Sequence, residues 1–257
     1  MELGLGARSA LICASTGGLG LASARALAAE GARVAVTGRR EEVARQIAAE
    51  LPGAVAIRSD LREPNSGEKL AEAAKTALGQ VDILVLNGPG PAPGTASDLN
   101  GAAVADAVDL LVRPHVELVH ALLPAMRERG WGRVIALGSS GMVAPLPGLA
   151  ASNLGRAALA GYLKTLAAEV ARDGVTVNVV VPGRIATDRV AQLDQAVAER
   201  TGRDVSEVRR ASEAGIPMGR YGRPGEFAAA VAFLASQEAS YITGSSLRCD
   251  GGMIATI

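Results

Sequence analysis

Aromatic residues are scarce in this sequence: one Trp, three Tyr and two Phe make up 2% of its 257 residues. That leaves almost no stacking platform for the bases of a single-stranded nucleic acid. Net charge of either sign is also missing, with 26 Lys plus Arg set against 26 Asp plus Glu. A duplex binder needs a cationic surplus to displace counterions, so nucleic acid is not expected as a partner. Cysteine is limited to Cys13 and Cys249, too few for a disulfide framework, which points to a reducing compartment. The opening Met1-Glu2-Leu3-Gly4 lacks the basic region and apolar run of a secretory leader. No apolar run nears the roughly 18 residues that a membrane span needs. A cytoplasmic protein with no membrane partner and no metal is expected.

What is present is aliphatic, and hydrophobic residues make up 49% of the chain. The length suits one large α/β domain over 1–257. Short apolar runs at Leu11–Ala14, Arg33–Val36, Val55–Ile57, Ile83–Leu86, Arg133–Leu137, Val175–Val181 and Leu247–Cys249 read as strands. Such nearly continuous runs suit strands covered on both faces. Helical stretches fall between them at Leu19–Glu30, Glu41–Leu51, Glu68–Leu78, Ala102–Glu128, Ser152–Arg172 and Pro224–Ser236. Pro114 lies inside the fourth of these and is expected to kink it. Strict β/α alternation predicts a doubly wound parallel sheet of about seven strands, with helices on both faces. The stretch at about 187–217 breaks the alternation with many charges and no strand. It reads as a helical insertion able to cover a substrate site, or else as a solvated hairpin.

The first strand runs into Ser15-Thr16-Gly17-Gly18-Leu19-Gly20 and then a helix. Glycines there let the backbone turn tightly, and the helix start offers unpaired N–H groups to a phosphate. Further segments are Asp82-Ile83-Leu84-Val85-Leu86-Asn87, Gly138-Ser139-Ser140, the run from Val177 to Thr187, Pro217-Met218-Gly219-Arg220 and Asp250-Gly251-Gly252. Together they resemble the short-chain dehydrogenase/reductase family, in texture the 3-oxoacyl-(acyl-carrier-protein) reductases, over essentially the whole chain. The resemblance implies a Rossmann-type fold and a dinucleotide at Ser15, Thr16, Gly17, Gly18, Leu19 and Gly20. It also implies cofactor contacts from Asp60 and Leu61, Asn87 and Gly88, and Pro182, Gly183, Ile185 and Thr187. Ala14 stands where the family has its first glycine, and its methyl group crowds that loop. After the second strand come Gly38-Arg39-Arg40. A carboxylate there would favour NAD(H) through the ribose 2′-hydroxyl, whereas Arg39 and Arg40 suit a 2′-phosphate. NADP(H) is therefore preferred, with NAD(H) the alternative; in the plainer reading the two arginines merely open a surface helix.

Hydride-transferring members of the family use Asn, Ser, Tyr and Lys. By resemblance these positions fall on Leu111, Ser139, Ser152 and Arg156, so only the Ser is kept. Efficient proton transfer needs a pKa near the working pH, which an aliphatic hydroxyl lacks, and an Arg stays protonated. Ser152 and Arg156 remain on one helix face. Neither Tyr162 nor His115 offers itself as a clear substitute acid; a helix-packing role for each is the plainer reading. The expected activity is an NADP(H)-dependent oxidoreductase of a carbonyl or alcohol substrate, with Ser139, Ser152 and Arg156 as catalytic residues and Arg156 also binding the cofactor by orienting its ribose. The alternatives are a nucleotide-binding regulatory protein and a dehydratase or isomerase on the same fold. In the family, helices like those around Val104–Met126 and Leu154–Val170 pair across a two-fold axis. The chain also ends on the apolar run Met253–Ile257. A homo-oligomer, dimer or tetramer, is expected.

Overall fold

The computed structural model describes residues 2–256, so Met1 of the N-terminal reading and Ile257 of the C-terminal one lie outside the described residues. Seven strands form one sheet: β1 (Ser9–Ile12), β2 (Arg33–Gly38), β3 (Val55–Arg58), β4 (Ile83–Leu86), β5 (Gly132–Leu137), β6 (Val175–Pro182) and β7 (Ser246–Cys249). Their order is β3-β2-β1-β4-β5-β6-β7, and every neighbouring pair is parallel. The strand runs thus form the sheet expected of them. One core lies on each face: Leu11, Leu84, Val134 and Val177 point to one side, and Ile12, Val85, Ile135 and Val180 to the other. This two-sided burial is why the central strands lack the polar alternation of a half-exposed sheet.

The helices are α1 (Gly18–Ala29), α2 (Glu41–Ala49), α3 (Ser66–Leu78), α4 (Gly101–Leu111), α5 (Arg113–Glu128), α6 (Ala150–Val170), α7 (Asp188–Thr201), α8 (Val205–Ala214) and α9 (Pro224–Ala235). The single helix expected over Ala102–Glu128 is two, broken at Val112 (φ −119°, ψ −60°). Pro114 consequently occupies the first turn of α5, where its missing N–H would have had no partner anyway. The interior proline of this helix is Pro124. Within the charged insertion, α7 and α8 form a helical hairpin. It is tied to the body by Asp194, which pairs with Arg184 at 2.9 Å and accepts the Tyr221 hydroxyl at 2.8 Å. Both Asp194 and Tyr221 are buried, and a buried carboxylate with two such partners is costly to pull free.

Candidate active site

The sheet order reverses direction between β1 and β4, and the loops leaving the carboxyl ends of neighbouring strands diverge there. Above those ends lies a cavity of about 1610 Å³, larger than the pockets that hold one drug-sized ligand. Its first wall carries Thr16, Gly17, Gly18 and Leu19 from the β1–α1 turn, with Arg39, Arg40, Asp60 and Leu61 beyond them. Its second wall carries Ser139, Ser152, Arg156, Pro182, Gly183, Ile185 and Thr187, and Asn87 with Gly88 lies on the floor between.

The glycine turn is built by side chains behind it. Asn87 Nδ2 donates to the carbonyls of Cys13 at 3.2 Å and Ala14 at 3.1 Å, so Asn87 holds the turn rather than reaching into the cavity with its amide. Thr37 Oγ1 accepts the Ala14 N–H at 3.0 Å and donates to the Ile12 carbonyl at 2.9 Å. Ala14 is thereby pinned at φ +46°, in the left-handed region that suits glycine. Its backbone strain adds to the crowding expected from its methyl group.

Two of the residues singled out in the turn face away from the cavity. Ser15 is fully buried; its hydroxyl donates to the Ile12 carbonyl and accepts the Thr37 N–H at 2.8 Å. Gly20 is buried behind the turn, where an added Cβ would stand 2.6 Å from the Ala14 oxygen. Both act on the turn's shape.

At the end of β2, a Cβ on Gly38 would lie 2.6 Å from Thr16 Cγ2. A carboxylate therefore has no room at Gly38 unless Thr16 moves. Arg39 and Arg40 beside it are exposed, and no carboxylate lies within 4.0 Å of either among the described residues. An unpaired guanidinium pair, a glycine turn and the start of α1 together fit the phosphates of NADP(H). Asp60 Oδ1 accepts the Arg62 N–H at 3.1 Å, which fixes its carboxylate at the cavity edge.

On the second wall, Ser139 Oγ accepts the Gly141 N–H at 3.1 Å, leaving its own O–H free to donate. Arg156 Nη1 donates to the Leu137 carbonyl at 3.2 Å. Burial, with a contribution from the Arg189 charge, lowers the Arg156 pKa, although it remains a cation at any ordinary pH. Leu111 does not reach the cavity; it is buried and packs on α6, 2.8 Å from where a Cβ on Gly155 would stand. Its carbonyl instead meets His115 Nδ1 at 2.9 Å, and His115 Nε2 faces the Asn87 carbonyl at 3.3 Å. Burial pushes the His115 pKa down, opposed by those two carbonyls. Tyr162 packs against the core away from the cavity, and Tyr241 is fully exposed.

Several contributors had no signal in the sequence. Asn153 Nδ2 donates to the Leu146 carbonyl at 2.9 Å and its Oδ1 accepts the Leu146 N–H at 3.3 Å, fixing the β5–α6 loop beside Ser152. That loop clasps the Pro/Gly-rich β4–α4 loop through Gly94 N–H to Gly148 O at 2.8 Å and Ala150 N–H to Gly94 O at 3.1 Å. Such pairings join residues about 55 positions apart, and only folding brings them together. Cys13 sits fully buried beneath the turn, and burial pushes its thiol up to about 12, so it is inert as a nucleophile.

Fold and cavity define a class: a Rossmann-type protein with a dinucleotide-shaped first wall and a hydroxyl- and guanidinium-bearing second wall. A family profile described as enoyl-(acyl carrier protein) reductase matches residues 13–254. The 3-oxoacyl-(acyl-carrier-protein) reductase of Salmonella typhimurium is 36% identical over 245 residues, covering 95% of this chain and 96% of the relative. The human dehydrogenase/reductase SDR family member 4 is 33% identical over 250 residues, covering 95% and 86%. Among solved structures, L-sorbose reductase from Gluconobacter frateurii, complexed with NADPH and L-sorbose, superposes with a TM-score of 0.93 at 31% identity, over 100% of both chains. The chain belongs to the short-chain dehydrogenase/reductase family.

Proposed function

We propose that the protein is an NADP(H)-dependent oxidoreductase that interconverts a ketone and an alcohol. One observation carries this reading: a single cavity joins the glycine turn with Arg39 and Arg40 on one wall to Ser139, Ser152 and Arg156 on the other. The structural relative supports it, since the L-sorbose reductase of Gluconobacter frateurii is complexed with NADPH and L-sorbose. When bound, the cofactor supplies or takes up the hydride. The chain's own residues do the rest. Arg39 and Arg40 hold the 2′-phosphate, and the start of α1 receives the pyrophosphate. The Ser139 hydroxyl, already accepting from Gly141, donates to the substrate carbonyl oxygen. Ser152 lies where the family's acid stands and hydrogen-bonds that oxygen, while the Arg156 charge stabilises negative charge developing on it. An aliphatic hydroxyl and a permanent cation make this a slow proton-transfer site.

The α7–α8 hairpin serves as the cover of the substrate end, because Leu193, Ala196 and Val197 of α7 line the cavity. A homo-oligomer fits the exposed small residues Ala157, Ala158 and Gly161 on α6, which allow close helix approach. Sedimentation at micromolar concentration checks this, and a monomeric mass refutes it. Cys13 and Cys249 are free thiols, which suits the cytoplasm; no helix among the described residues is long and apolar enough to cross a membrane. The test of function is NADPH binding together with NADPH oxidation over a panel of ketones. Binding with turnover supports the proposal. Binding without turnover favours a regulatory protein, for which the Ser at position 152 is the specific observation. Absence of binding defeats both.

A further inference from the structure

The substrate end of the cavity is strongly cationic without any visible reason in the protein itself. Arg156, largely buried on α6, donates to the Leu137 carbonyl at 3.2 Å. Arg189 extends from the first turn of α7 across the cavity mouth, its Nη2 3.5 Å from where a Cβ on Gly90 would stand. Neither has a carboxylate within 4.0 Å among the described residues, although Arg184 nearby is neutralised by Asp194 at 2.9 Å. Burial, and after it the charge of Arg189, disfavours the charge of Arg156, and both side chains line the same cavity. Arg200, about three turns further along the same face of α7, also lines the cavity. The carboxylates on the cavity wall are Asp60, at the opposite end, and Asp188, at the start of α7. Unpaired like charges gathered in one half-desolvated cleft cost free energy, and an anion placed among them relieves it.

We infer that the substrate carries an oxyanion, a carboxylate or a phosphate, which Arg189 and Arg156 hold while Ser139 and Ser152 face its carbonyl. This rests on the proposed oxidoreductase reading and names the substrate class of that site. The cofactor's phosphates have their own partners at the other end of the cavity, in Arg39, Arg40 and the start of α1. They leave Arg189 without an assigned partner, while Arg156 reaches from the reacting end of the cavity toward the same anion. Arginine suits the task because its planar fork pairs both oxygens of a carboxylate or phosphate.

Calorimetric titration in the presence of NADPH tests the inference with two matched pairs of probes. Acetoacetate is compared with its neutral methyl ester, and dihydroxyacetone phosphate with dihydroxyacetone. At least one anion should bind about tenfold or more tightly than its neutral counterpart, the scale of one charge-assisted contact. Which pair shows the larger ratio tells carboxylate from phosphate. Arg189→Gln alters an exposed side chain; it should abolish the preference while leaving NADPH affinity within about twofold, as expected for a residue off the cofactor. Anions that bind no more tightly than the neutral probes overturn the inference. So does an Arg189→Gln protein that loses NADPH affinity to the same extent, because Arg189 then belongs to the cofactor's phosphates. If the natural protein fails to bind NADPH, the oxidoreductase reading falls, and the same titrations on the free protein still decide for or against the anion pair.

Discussion

Ala14→Gly is the substitution whose effect the structure lets one work out most fully. Ala14 sits at φ +46°, a conformation that costs an L-residue roughly 1–2 kcal/mol relative to glycine. It cannot relax, because its N–H is held by Thr37 at 3.0 Å and its carbonyl by Asn87 at 3.1 Å. Glycine removes the strain but gives the unfolded chain more freedom, which offsets about 0.4–1 kcal/mol. The net gain is about 0.5–1 kcal/mol, or about 1–4 °C in Tm for a chain of this length. Thermal unfolding of the cofactor-free protein, followed by circular dichroism at a fixed scan rate, measures it. A second readout is NADPH affinity, which should rise as the methyl group leaves the phosphate turn. An unchanged or lower Tm would show that the turn is not strained at Ala14, and the reasoning would be wrong.

Arg39→Asp should weaken NADPH binding by about 1–3 kcal/mol and leave NADH binding unchanged or improved; equal losses for both cofactors would show that Arg39 does not read the 2′-phosphate. Ser152→Tyr combined with Arg156→Lys should raise NADPH-dependent reduction of a neutral ketone, by part of the about 10²–10⁴-fold that acid/base assistance contributes. The gain is partial because Leu111 still packs on Gly155 in place of the family's Asn. Strong turnover in the natural protein that the double substitution destroys would mean that Ser152 and Arg156 form a working site of another design. Burial holds the His115 pKa below its ordinary 6.5, so below that pH the unfolded chain takes up a proton that the native state refuses. The stability His115 contributes is present above pH 6.5 and falls on acidification by up to about 1.4 kcal/mol per pH unit until the folded pKa is passed. Urea unfolding at pH 7.5 and 5.5 should therefore show a smaller stability gap between the natural protein and His115→Gln at the lower pH; a constant gap would refute the assignment.

By itself the sequence determined the sheet and the phosphate turn. The apolar runs are short, β-branched and evenly interleaved with helices, and a strand covered on both faces has few other places to go. Gly17, Gly18, Arg39 and Arg40, singled out from local backbone freedom and local charge, all line the cavity. Tertiary structure alone decided the direction of the side chains. Ser15 belongs to the same motif as Thr16, yet its hydroxyl turns inward to Ile12 and Thr37 while Thr16 faces the cavity. The break at Val112 lies two residues before Pro114, which lacks the N–H to continue the helix; the sequence marked the interruption, and only the structure shows that it separates two helices. Arg156 and Arg189 line one cavity from two helices, 33 positions apart, and this leaves no trace in composition, because a net charge of zero conceals where the unpaired cations gather. Spacing along a chain reports neighbours on one helix or strand; the meeting of two elements is set by burial of their apolar faces, and the polar groups on the opposite sides are carried with them.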